Sequence, residues 1–100
     1  MSYRIKLLPE ARLDIKEIME WYNEEKLGLG RRFYESLKSR LVYIRKYPLH
    51  CQVSYRDVRN ILVDSFPYQV HYRIEEPDRL IVVFAVTHTS RDPRVWKNKR

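Results

Sequence analysis

The sequence predicts an α+β protein of order β-α-α-β-β-β, a helical hairpin laid on one face of a mainly antiparallel four-stranded sheet. Three observations carry that reading. Ala11, Ile15, Ile18, Met19 and Tyr22, then Phe33, Leu37, Leu41 and Ile44, recur at three- and four-residue spacing on either side of "KLGLG", the mark of two amphipathic helices joined by a turn. Tyr68, Val70, Tyr72 and Ile74 alternate with Gln69, His71, Arg73 and Glu75, as in a strand with one buried face. From Arg79 to Thr87 nearly every residue is apolar, which predicts a central strand covered on both faces.

Taken in order, Tyr3 to Leu8 alternates Tyr3, Ile5 and Leu7 with Arg4 and Lys6 and predicts a short first strand. Pro9 suits the first turn of a helix, where its missing N–H is not needed, and Glu10 suits the positive end of the helix dipole. The helix should fray near Lys26. Both glycines of the chain, Gly28 and Gly30, fall in the following turn. The second helix runs from Leu29 to Tyr47 and stops at Pro48, with Arg31, Arg32, Lys38, Arg40, Arg45 and Lys46 making its outer side basic. Val58 to Val63 predicts another strand. "DSFP" (64–67) and "EPD" (76–78) supply the turns on either side of the alternating segment. Trp21, beside Tyr22, is expected in the core or the hairpin contact.

Length and charge bound the function. One hundred residues suffice for a single domain, 1–100, and no Ser- or Gly-rich linker divides them. With 44% apolar and 33% charged residues, the composition is that of a globular domain, not a disordered one. The apolar stretch Leu80 to Val86 falls far short of the roughly 20 residues needed to cross a bilayer. The amino terminus has no apolar signal-peptide core. No membrane contact is expected, and the expected location is the cytoplasm. Cys51 is the sole cysteine, so no intrachain disulfide can form, and its setting is that of a packing residue. The net charge of +7 is concentrated at the end of the chain, where Arg91, Arg94, Lys97, Lys99 and Arg100 face Asp92 alone. Such asymmetry points to a polyanion or an acidic protein as partner.

Four segments, "PEARLDIKEIMEWY", "RRFYESL", "VRNILVDSFPYQVHYRI" and "AVTHTSRDPRVW", follow one another in the order and spacing of the RelE/ParE superfamily of type II toxin–antitoxin toxins. The chain resembles that superfamily over nearly its whole length. The resemblance implies a RelE/ParE-like fold, a toxin that arrests growth when free, and a cognate antitoxin that wraps and neutralises it. RelE-like members are ribosome-dependent mRNA endonucleases, whereas ParE-like members poison DNA gyrase and cleave nothing themselves. The long hairpin and the "H-x-x-R-x-P-x-x-W" ending look more ParE-like. An inactive, antitoxin-binding relative is a third reading.

Metal-independent cleavage of RNA through its 2′-hydroxyl needs a base, an acid for the leaving oxygen and cations for the phosphorane. The residues that could serve are His88 at the end of the central strand, Arg59, and Arg91 three residues after His88, with Arg73 on the strand neighbouring that of Arg59 and a phenol from Tyr55 or Tyr72. Each also has a plain structural reading: His88 as a hydrogen-bonding anchor for the tail, Arg73 as a solvent-facing strand residue, Tyr68 and Tyr72 as core. No lysine lies between Lys46 and Lys97, which weighs against a nuclease. His50, His71 and His88 lack metal-ligand spacing, so no metal and no cofactor are expected. The contact reading rests on Arg91, Arg94, Trp96, Lys97, Lys99 and Arg100. The guanidinium groups can fork onto phosphate or carboxylate, and the indole can stack on a base, fill a partner's pocket, or fold back over the hairpin.

Overall fold

The computed structural model describes residues 3–90. It contains β1 (Arg4–Leu7), α1 (Pro9–Glu25), α2 (Leu29–Lys46), β2 (Val53–Tyr55), β3 (Val58–Leu62), β4 (Tyr68–Glu75) and β5 (Leu80–His88). The strands form one sheet in the order β1-β5-β4-β3-β2, parallel between β1 and β5 and antiparallel elsewhere. The α+β class and the helical hairpin are as expected; the sheet has five strands, not four. The additional strand, β2, spans three residues and forms a tight hairpin with β3, turning at Arg56 with φ 49°. So short a strand carries no periodicity for a sequence to display.

Pro9 does open α1. Ala11, Ile15, Ile18 and Tyr22 form its buried stripe, and Phe33, Leu37 and Ile44 that of α2. Tyr22, Phe33, Phe66 and Tyr68 knit the hairpin to the sheet. Phe33 and Phe66 meet edge-to-face at 5.3 Å, Tyr22 and Phe66 at 5.1 Å, and Phe33 and Tyr68 at 5.6 Å.

The two glycines of the hairpin have different tasks. Gly28 precedes α2 with φ 91°, a left-handed conformation costly for any residue with a Cβ. Gly30 is where the helices touch: its N–H donates to Asn23 Oδ1 at 2.9 Å, and a Cβ there would lie 2.5 Å from the Met19 carbonyl oxygen. Gly30→Ala must therefore push the helices apart, at an expected cost of about 1–3 kcal/mol, read as a lower urea midpoint. An unchanged midpoint would show that the hairpin yields freely at this point.

A β-bulge in β5 decides which side chains face the helices. His71 pairs with Ala85 and Tyr72 with Val83, leaving Phe84 as the extra residue. Ile81, Val83 and Val86 consequently join the helix-side core, while Phe84 and Ala85 pack with Val58, Leu8 and Tyr55 on the other side. Ile81 to Thr87 are all buried, as the apolar run predicts. His71, on the polar phase of β4, is buried too, with Nε2 2.7 Å from Thr87 Oγ1.

Candidate functional site

β1 pairs with β5 only from Leu80 to Val83. The Leu8 N–H donates to the Val83 carbonyl at 2.9 Å, and Pro9 then turns the chain into α1. From Phe84 to His88, one edge of β5 thus has no strand beside it among the described residues. α1 runs past this edge instead, and Asp14 Oδ2 accepts the Val86 N–H at 3.0 Å. Between helix and edge lies a groove of about 740 Å³, walled by Glu10, Asp14, Glu17 and Trp21 on one side and by Phe84 and His88 on the other.

Trp21 departs from expectation. It is 52% exposed, touching Tyr22 edge-to-face at 5.1 Å and lining the groove, whereas Tyr22 occupies the core. The signal was present in the spacing: 10, 14, 17 and 21 repeat at four, three and four residues, a second helical stripe beside the buried one. The groove itself was not read from the sequence, because the early departure of β1 from β5 is a matter of register.

His88 is exposed at the end of β5, with its ring edge-to-face on Tyr68 at 5.2 Å. Its Nδ1 accepts the Ser90 N–H at 3.1 Å and lies 2.8 Å from Ser90 Oγ. Nδ1 is thus occupied in anchoring the turn that leads out of the sheet. Arg59 pairs with Tyr72 across β3 and β4 and shares its helix-side face, and its Nη1 donates to the Cys51 carbonyl. The β4 partners of Arg59 and His88, Tyr72 and Tyr68, are four residues apart. That is about 13 Å along the strand, with β4 itself lying between the two residues. The register does not bring Arg59 and His88 together. Arg91, Arg94, Trp96, Lys97, Lys99 and Arg100 lie outside the described residues.

The other candidates resolve into structural roles. Arg73 reaches Glu75 at 3.2 Å and lies over the Phe84 ring at 5.8 Å. Tyr72 is fully buried and donates from its hydroxyl to the Pro48 carbonyl at 3.0 Å. Burial pushes its phenol above the ordinary value of 10.0, and the neighbouring Cys51 adds to the shift, so it stays protonated at neutral pH. A phenol whose pKa is higher folded than unfolded stabilises the fold fully below the unfolded value and loses that contribution as pH climbs toward the folded one. Stability should therefore decline above pH ~10, less steeply in Tyr72→Phe. Equal slopes in alkaline urea titrations would assign the decline to other groups. His50, expected as a loop residue, bonds through Nδ1 to the Tyr43 hydroxyl and stacks near Tyr43 and Tyr47 at 5.7 and 6.2 Å. Among the described residues, no three His, Cys, Asp or Glu side chains stand together as a metal-binding group, and no helix is long and apolar enough to cross a membrane.

A helical hairpin on a five-stranded mixed sheet is a fold this chain shares with solved ParDE and RelBE toxin–antitoxin structures. The chain belongs to the ParE toxin family of type II toxin–antitoxin systems (parDE), whose family model matches residues 5–93. Among solved structures it is similar to the chromosomal ParDE toxin–antitoxin system from P. aeruginosa, with TM-score 0.75 and 12% identity over 86% of this chain and 95% of that one. It is also similar to the intact E. coli RelBE complex, with TM-score 0.65 and 22% identity over 89% and 99%. The archaeal RelE–RelB complex from Pyrococcus horikoshii gives TM-score 0.56 and 14% identity over 92% and 100%. No curated protein sequence matches the chain.

Proposed function

We propose that this toxin arrests growth by docking on DNA gyrase through the basic segment after β5, and that a cognate antitoxin neutralises it by covering that surface. The observation that carries the reading is the match of residues 5–93 to the ParE family. The separation of Arg59 from His88 supports the same side, since a nuclease needs its acid, base and cations around one phosphate. Arg91, Arg94, Trp96, Lys97, Lys99 and Arg100 supply the contact: forked cationic donors, an indole for a pocket, and long-range attraction. An antitoxin segment rich in carboxylates fits the exposed cations of α2, Arg32, Lys38, Arg45 and Lys46, and the charge match would mainly speed encounter. The solved ParDE and RelBE relatives are themselves parts of toxin–antitoxin systems.

Expression from a tight promoter without antitoxin should halt growth, induce the DNA-damage response and leave mRNA intact, and purified protein should trap gyrase–DNA cleavage complexes. Codon-positioned mRNA cuts that vanish in His88→Ala would instead establish ribosome-dependent endonuclease activity. Unimpaired growth under verified expression would make the chain an inactive, antitoxin-binding relative.

A further inference from the structure

The hairpin divides its charge between its two helices. α1 carries six carboxylates and two cations, α2 six cations and one carboxylate. On α1 the exposed residues Leu13, Glu17, Glu20 and Glu24 lie opposite the buried stripe, and on α2 the exposed residues Arg31, Lys38, Val42 and Arg45 share one solvent-facing stripe. Glu17 and Glu24 stand seven residues apart, as do Arg31, Lys38 and Arg45, so both rows repeat at about 10.5 Å. Glu17, Glu24, Lys38 and Arg45 have no ion-pair partner among the described residues. Between these charges Leu13 and Val42 leave apolar surface in water, at 53% and 49% exposure.

We propose that this face receives a second copy of the chain, the two hairpins stacking about a two-fold axis that runs parallel to the helices. That operation lays α1 of each copy antiparallel on α2 of the other, so that an acidic helix meets a basic one twice over in a contact that closes. It also preserves level along the helices, which within one chain is set where the Gly30 N–H meets Asn23 Oδ1. Carried across the axis, Glu24 comes level with Arg31 of the second copy, Glu17 with Lys38 and Leu13 with Val42, each to within about 3 Å. The like charges that also meet, Glu20 and Glu35, are offset inside each copy by Lys16 at 3.6 Å and Arg31 at 3.3 Å. Exposed ion pairs add little affinity one by one; here they fix partner and register, while Leu13 and Val42 supply burial. Lys38 and Arg45 are among the cations assigned above to the antitoxin segment, so second copy and antitoxin compete for α2. The stacking itself needs neither antitoxin nor target and stands or falls separately from the gyrase reading.

The test is sedimentation equilibrium of the purified full-length chain under reducing conditions. At low salt the weight-average mass should rise with concentration toward twice 12.3 kDa, and molar salt should return it toward one copy. Glu17→Lys and Lys38→Glu, at exposed positions and with folding checked by circular dichroism, should each weaken self-association several-fold, because each sets two like-charged pairs in the dimer. Mixing the two variants in equal amounts should restore it, since position 17 of either copy then faces an opposite charge at position 38 of the other. A second measurement reads the apolar contact. Leu13→Cys and Val42→Cys, each made in Cys51→Ser, should on mild oxidation of the mixture form a disulfide between the two variants in preference to either with itself. A monomer at every concentration, a loss that mixing does not restore, or variants that show no such preference would overturn the proposal. So would mass climbing past two copies, which would replace the two-fold contact by an open head-to-tail one.

Discussion

Deleting residues 91–100 should abolish growth arrest while the remaining chain still unfolds cooperatively. Among the described residues both helices and all five strands are in place before Arg91: β5 ends at His88, and the Thr89 N–H donates to the Pro67 carbonyl at 2.9 Å. Half or more of the net charge leaves with the deletion, and with it the forked donors and the indole to which the gyrase contact is assigned. Truncation at Ser90 therefore separates target contact from folding. Growth after induction, together with the thermal transition of the purified fragment, reads the two independently. A truncated chain that stops growth as well as the parent would move the contact to the hairpin or the open sheet face.

Phe33→Ala should do the reverse, acting on stability alone. The ring is completely buried and meets Phe66, Tyr68 and Tyr22 within 5.8 Å. It is the main side chain through which α2 holds the aromatic cluster of the sheet and its turn. Truncating such a side chain costs about 3–5 kcal/mol through lost burial and the cavity left behind. A domain of this size is stable by only about 5–15 kcal/mol in total, so the variant should be near its unfolding midpoint at physiological temperature. Any loss of toxicity in it follows from depletion of folded protein. Urea titration gives the magnitude, and a loss below about 1 kcal/mol would mean that the cluster repacks around the vacancy.

The parts of the fold that repeat were legible in the sequence. Two helical stripes, the KLGLG turn, Pro9, Pro48 and the alternation of β4 each carry a local signal that tertiary packing reinforced. What escaped notice depends on register. β2 is too short to show alternation. His71 sits on the polar phase of its strand yet is buried, because the bulge at Phe84 turns two successive apolar side chains to its side of the sheet. Trp21 looked like core because it is large and adjoins Tyr22, but one residue along a helix is a turn of 100°, enough to place it on the groove. Of the candidate site, the sequence exposed the charge and the anchor at His88. It could not reveal that Arg59 lies on the helix side, engaged with the Cys51 carbonyl, since that follows from pairing with Tyr72.

The parallel pairing of Arg4 with Leu80 and of Leu7 with Val83 has a bearing on biosynthesis. The first strand made waits for the last one, so the growing chain can close its sheet only after nearly all of it has left the ribosome. Contacts so distant in sequence form late and slowly. A product of interrupted translation, lacking β5, has no central strand on which to lay either β1 or β4. Aborted synthesis should thus yield proteolysed fragments and not a folded domain, and a cell that halts its own translation would also stop supplying the folded toxin.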